Sequence, residues 1–369
     1  QPRPIFPMKN LFVAGLMLAG AVAPAAAADV LPLADVRPGM RGIGVTVFEG
    51  TTRAEFDVEI IGILHNINGP KRNLILARLD GGPLAETGVI AGMSGSPVYV
   101  EGRLVGAVAY AMGSFTTEPL AGITPIEEMF DAVDVPGVRP AAVRARVEVP
   151  LSPDRLIALF RASMRPTAAF ARSTGDVAGI GPPLREAQSV ATMLRPIATP
   201  LSLSGFDREV ADLLTSALDG TGLVPVLGGG QAGSAPVAAE PLQAGDAVSV
   251  SLIDGDLSLA GTGTVTLVEN DRVYAFGHPF QNLGPTQFVM NRAHIQALLP
   301  SLLSSTKIAT VGEAIGTFEQ DRLTAIAGTL GPAPRRIPVT VTLRPSAGNA
   351  AVRELQFNIV DDQVLTPLL

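Results

Sequence analysis

One serine in the chain stands in a setting that could make it a nucleophile. Gly92-Met93-Ser94-Gly95-Ser96-Pro97 lies between the apolar runs Val89-Ile90-Ala91 and Val98-Tyr99-Val100. A small hydroxyl residue flanked by glycines, just before a strand, is how a serine is held on a tight turn with backbone N–H groups beside it for a developing oxyanion. In that reading Ser94 attacks, the amides of Gly92 and Ser94 form the oxyanion hole, and Ser96 is a turn residue. The same letters also describe a glycine-rich turn whose serines satisfy only their own backbone.

A serine nucleophile needs a base, and the chain offers three histidines. His65 lies in an Asn/Gly/Pro turn and His294 in an expected helix, whereas His278 ends a strand between Gly277 and Pro279. A base works best when a rigid element holds it and its tip is free, which favours His278. The third member would be a carboxylate that orients the imidazole, and Asp80, closing a strand just before the nucleophile turn, is the best placed. Asp80-Gly81-Gly82 also reads as an ordinary turn, as do the surroundings of Asp246, Asp254 and Asp271. The chain has no cysteine, so thiol nucleophiles, disulfides and zinc–thiolate sites are excluded. Neither a metal nor a cofactor is expected. Gly228-Gly229-Gly230-Gln231-Ala232-Gly233 matches a dinucleotide glycine pattern, but Ser234-Ala235-Pro236 follows where a helix would have to start, so it reads as a linker.

The elements that must position these residues are mostly strands. Dense punctuation, 39 Gly and 31 Pro, among short Val/Ile/Leu runs favours a mainly β fold with few helices. Strands are expected at 42–48, 55–64, 73–79, 98–100 and 104–110, with Glu101-Gly102 as a hairpin turn; a short helix follows, with Thr124 as N-cap and Pro125 in its first position. Residues 134–240 read as a linker and partly helical insert, with helices near 154–164, 184–195 and 206–218. The β pattern resumes at 247–252, 257–260, 263–268 and 273–276, a helix is expected at 292–304, and strands follow at 307–312, 323–328 and 337–343. The domains are therefore a signal segment with an upstream extension over 1–28, a β module over 29–133 carrying Asp80 and Ser94, the insert over 134–240, a β module over 241–345 carrying His278, and a C-terminal segment over 346–369 whose apolar end without a polar tail reads as that of a truncated chain.

Composition excludes some partners. A formal net charge of −7 and 17% charged residues give no basic footprint for nucleic acid. Met8-Lys9-Asn10, the apolar run 11–22 and Ala25-Ala26-Ala27-Ala28 have the order of a cleaved signal peptide, and the apolar run is shorter than the roughly 20 residues a membrane span needs. An exported, periplasmic or extracellular bacterial protein is expected, without a stable membrane span after cleavage.

Three separated pieces resemble the SpoIVB-type serine peptidases: 56–60 leading to Asp80, 86–97 with Leu104-Val105-Gly106-Ala107-Val108, and Gly263-Thr264-Val265-Thr266 leading to Gly277-His278. The resemblance implies a serine peptidase with a chymotrypsin-like double β-barrel, acting on protein or peptide substrates. By it Ser94 matches the nucleophile, His278 the base and Asp80 the acid. The sporulation members run His, Asp, Ser, while this chain runs Asp80, Ser94, His278, as a circular permutation of the modules would give. By fold analogy the strand after the nucleophile, with Ala107, Val108 and Tyr110, lines the substrate cleft. Two other functions stay open: an inactive peptidase-like binding or scaffold module of the cell envelope, and an esterase with the same triad.

Overall fold

The computed structural model describes residues 28–67, 69–112, 118–133, 152–155, 157–158, 193–228, 240–344, 352–366 and 369. The signal segment, most of the insert and the Gly228–Gly233 linker beyond its first residue lie outside these. The fold is mainly β, as the residue patterns predict.

The first β module closes on itself. Strands β1 (Arg41–Glu49), β2 (Thr52–Leu64), β3 (Leu74–Asp80), β4 (Pro97–Val100), β5 (Arg103–Met112) and β6 (Leu120–Pro125) run in the order β4-β1-β2-β3-β6-β5, and pairing of β4 with β5 completes a six-stranded antiparallel barrel. Alternation explains the closure: on β2, Phe56, Val58 and Ile60 point into the core while Glu55 and Asp57 face solvent. Each such apolar side chain contributes roughly 1.5–3 kcal/mol by leaving water. The β4–β5 hairpin turns through Glu101 and Gly102, at φ 52° and 77°, the mirror-image turn that suits strand twist. A short strand, β7 (Leu194–Pro196), adds to β5 from outside the barrel.

The second module repeats the design. Strands β10 (Ala247–Gly255), β11 (Ser258–Glu269), β12 (Arg272–Ala275), β13 (Gly284–Leu299), β14 (Thr306–Arg322) and β15 (Ala325–Leu330) form the ring β10-β13-β14-β15-β12-β11, closed by the β10–β11 pairing. β8 (Thr199–Ser204) and β9 (Leu223–Leu227) extend the sheet from β11, and β16 (Arg336–Leu343) and β17 (Arg353–Val360) extend it from β10. The core of this barrel is built around Phe276, Phe280, Phe288 and Phe318.

Helices are few. α1 (Leu84–Thr87) and α2 (Ile126–Val133) flank the first barrel, and α3 (Arg208–Leu218) makes the crossover between the parallel strands β8 and β9. α3 falls within the expected 206–218, and Asp207 caps it by accepting from the Val210 amide.

Four local expectations are corrected. Residues 292–304 hold no helix: Arg292–Leu299 belongs to β13, where Ala293 and Ile295 point inward. Good helix formers yield there to pairing with β14 on one side, while on the other Ile295 exchanges backbone hydrogen bonds with Gly50 of the first barrel. Residues 257–260 and 263–268 are one strand, β11. The end of the expected helix 184–195 is strand β7; residues 184–192 lie outside the described residues. Thr124 is the penultimate residue of β6 rather than a cap; α2 begins at Ile126, and the Thr124 hydroxyl is used across the barrel seam.

Candidate active site

The nucleophile turn is fixed from three sides. Within it, the Met93 amide donates to the Ile90 carbonyl at 3.0 Å, and the Ser96 amide and hydroxyl both donate to the Met93 carbonyl, at 2.9 and 2.6 Å. From the first barrel, the Gly95 amide donates to the Val108 carbonyl at 2.8 Å, and the Val108 amide to the Ser96 carbonyl at 2.9 Å. From the second barrel, Thr264 donates its amide to the Ser94 carbonyl at 2.8 Å and its hydroxyl to the Gly92 carbonyl at 3.1 Å, while the Thr266 hydroxyl donates to the Gly95 carbonyl at 2.8 Å. A third strand, β14, holds the entry to the turn, since Ala91 exchanges hydrogen bonds with Ser305 and Lys307.

This docking explains the glycines. Gly95 has φ +96°, and a Cβ there would collide with the Thr264 carbonyl and the Phe276 amide, so only glycine lets the turn sit on the second barrel. Gly92 has φ +93°, with its open side against Lys307 and Pro200. The amides of Met93, Gly95 and Ser96 are thus committed to carbonyls, whereas those of Gly92 and Ser94 donate to no group among the described residues. The Ser94 side chain is fully buried and its Oγ has no hydrogen-bond partner there. An unpaired buried hydroxyl costs about 1–3 kcal/mol, which stability alone does not explain.

His278 arrives at the same seam from β12. The Phe276 amide donates to the Thr264 carbonyl at 3.2 Å, so one residue, Thr264, binds both the nucleophile turn and the residue two before the histidine. Phe276 has φ +70°, a strained conformation for a bulky residue, and Gly277 follows at +68°, packed against Ala107 and Ala109 of β5. The Thr124 hydroxyl donates to the Gly277 carbonyl at 2.7 Å and ties this turn to the first barrel.

The imidazole is fully buried, and the Pro279 carbonyl lies 2.8 Å from Nδ1. The Ile197 backbone also lies beside the ring. Burial lowers the imidazole pKa to about 4 against the raising effect of these two backbone groups, so His278 is neutral at pH 7.

The structure does not bring Asp80 to His278. Asp80 is exposed at the end of β3, and its Oδ1 accepts from the Gly81 amide at 2.7 Å. The strand register gives the separation: Val108 of β5 is level with Ile123 of β6 and Ile75 of β3. Asp80 lies five residues beyond Ile75, roughly 17 Å along the strand. The group beside Nδ1 is a main-chain carbonyl instead. The side chains of Ala107, Val108 and Tyr110 are buried, so β5 faces the seam with its backbone edge. The other two histidines sit apart: His65 faces Asn73 in an exposed turn, and His294 contacts Gln296 on β13.

Among the described residues, two fully buried charged side chains carry no such sequence signal. Asp321, fully buried at the end of β14, accepts from the amides of Phe280, Gln281 and Leu283 at 2.8, 2.7 and 3.2 Å, and so anchors the loop that leaves His278. Burial raises its carboxyl to about 6 against the lowering effect of these amides. Lys307, fully buried behind Gly92, donates from Nζ to the Thr46 hydroxyl at 2.8 Å, and burial lowers its amine to about 7. The available signal was slight: Lys307 is one of three lysines in the chain and heads an apolar run. Asp321 sits in a polar stretch that gave no hint of burial. Among the described residues no three of His, Cys, Asp and Glu cluster as a metal site requires.

The arrangement can do nucleophilic chemistry: a serine on a rigid turn with unused amides beside it, and a neutral imidazole in the same dry seam. Comparison with known families agrees in kind. The sequence model for SpoIVB peptidase S55 matches residues 22–130, which span the first barrel and the Ser94 turn. No curated protein and no solved structure matches the chain.

Proposed function

From the SpoIVB peptidase match over the Ser94-bearing barrel, we propose that the protein is an exported serine endopeptidase in which Ser94 is the nucleophile and His278 the general base. The observation that carries this reading is the convergence of both turns on Thr264, which accepts from one and donates to the other. Ser94 Oγ attacks a peptide carbonyl, His278 takes its proton and returns it to the leaving amine, and water then releases the acyl group. The Gly92 and Ser94 amides bind the oxyanion, each such donor contributing roughly 3 kcal/mol to the transition state. The Pro279 carbonyl, accepting from Nδ1–H, holds the tautomer that leaves Nε2 free of a proton, the part that Asp80 was expected to play. Export rests on the signal-like order of residues 8–28, and no helix among the described residues is long and apolar enough to cross a membrane.

The test is hydrolysis of casein and of short esters by the wild type, Ser94→Ala and His278→Ala. Cleavage of casein by the wild type and its loss in both variants is the expected outcome. Equal cleavage by all three proteins would remove the assignment, and ester turnover without peptide turnover would make the protein an esterase.

A further inference from the structure

The seam is already filled by a piece of the chain itself. β7 lies antiparallel on β5, with Leu194, Arg195 and Pro196 level with Met112, Ala111 and Tyr110. The next residue, Ile197, donates its amide to the Ala109 carbonyl at 2.9 Å, and its backbone lies beside the His278 ring. Chain continuity then carries Ala198 into β8 of the second barrel.

A β-bulge makes this placement possible. β5 and β6 pair Val108 with Ile123 and Tyr110 with Gly122, leaving Ala109 as the extra residue. Successive carbonyls of a regular strand point to opposite edges, but a bulge can aim two to the same edge. Here Val108 accepts from Gly95 of the nucleophile turn and Ala109 accepts from Ile197. The nucleophile turn and Ile197 are therefore neighbours along one edge of one strand. An extended peptide substrate would add to that edge by main-chain hydrogen bonds, the ordinary mode of strand addition.

We propose that Leu194–Ala198 is a built-in inhibitory strand that occupies the substrate position on β5 and must leave before an external peptide can bind. This rests on the peptidase reading of Ser94 and His278. Burial agrees with it: Ser94 and His278 have no exposed surface and Ile197 is 3% exposed, so no outside carbonyl reaches the serine while the strand is in place. A groove of about 470 Å³ continues from the strand, lined in part by Gly88, Ala91, Met112, Arg195, Ile197 and Leu302. The occupant also points to a substrate class: an extended segment with a branched apolar residue at the Ile197 position, preceded by a residue such as proline that needs no amide.

The test compares fluorophosphonate labelling and peptide hydrolysis by the full chain and by Ile197→Ala, which trims the strand's anchor without touching Ser94 or His278. Leu194→Ala, at the other end of the strand, is the second variant should the first fold poorly, and Ser94→Ala is the blank. Labelling of Ser94 and turnover should rise roughly tenfold or more in the loosened variants, and a synthetic peptide spanning Leu194–Ala198 should bring both back down. Equal rates in the wild type and in folded variants would overturn the inhibitory role and leave the peptidase assignment standing. Cleavage of the wild type within Leu194–Ala198 would also overturn it, by making the strand a substrate. No labelling of Ser94 in any folded protein would remove the peptidase reading and this inference together.

Discussion

At the scale of single residues, groups that act are distinct from groups that hold. Ser94→Ala and His278→Ala should each lower peptide turnover by about 10³-fold or more at unchanged folding, read from kcat with a thermal melt as control. Asp80→Ala should change kcat by less than about threefold, because its carboxylate is engaged with its own turn. Asp321→Asn should behave quite differently. An amide cannot accept from three backbone N–H groups on both of its ends, so the loop after His278 should loosen at a cost of about 2–3 kcal/mol, measurable as a lower melting temperature and slower labelling of Ser94. The pH dependence follows from burial. His278 has a folded pKa near 4, below its ordinary 6.5, so the unfolded chain binds the proton first as pH falls. Its contribution is intact above pH 6.5 and is lost as pH drops toward 4, by about 3 kcal/mol in all, which denaturant titrations across that window would detect.

At the scale of elements, the strands were legible because alternation and turn residues speak locally. The pattern on β2 and the Glu101-Gly102 turn needed no tertiary knowledge. β13 was not legible in its second half, since Arg292–Leu299 has good helix formers and is a strand only because β14 pairs with it and Gly50 of the first barrel bridges Ile295. The Ser94 turn could be read from its glycines, and His278 from its place at a strand end. The orienting carbonyl of Pro279 could not, because main-chain groups carry no sequence signal. Nor could the Ala109 bulge, which exists only in the pairing of β5 with β6. The turn also makes a sharp prediction. Gly95→Ala would place a methyl group against the Thr264 carbonyl at φ +96°, and should cost more than about 2 kcal/mol of stability along with most of the activity.

At the scale of the whole molecule, two six-stranded barrels meet along one seam, and each supplies half of the candidate chemistry. The order of the modules along the chain does not matter to that geometry, which is why a sequence running Ser before His can still build it. Lys307 lies beside the same seam and reaches from the second barrel to Thr46 of the first. Its folded pKa, near 7 against an ordinary 10.5, means that the unfolded state binds more protons between these values. Stability should therefore rise with pH across that window, and Lys307→Met, which keeps the apolar stem and removes the charge, should flatten the rise. A pH series of denaturant melts on both proteins reads this directly.

The central claim is that Ser94 is a nucleophile activated by His278. Mass-spectrometric mapping of the fluorophosphonate adduct on the wild type, on Ile197→Ala and on Ile197→Ala combined with His278→Ala tests it most directly. The adduct should lie on Ser94 in the first two, faster in the second, and be lost from the third. An adduct on any other residue, or one on Ser94 that persists at the same rate without His278, would contradict the account.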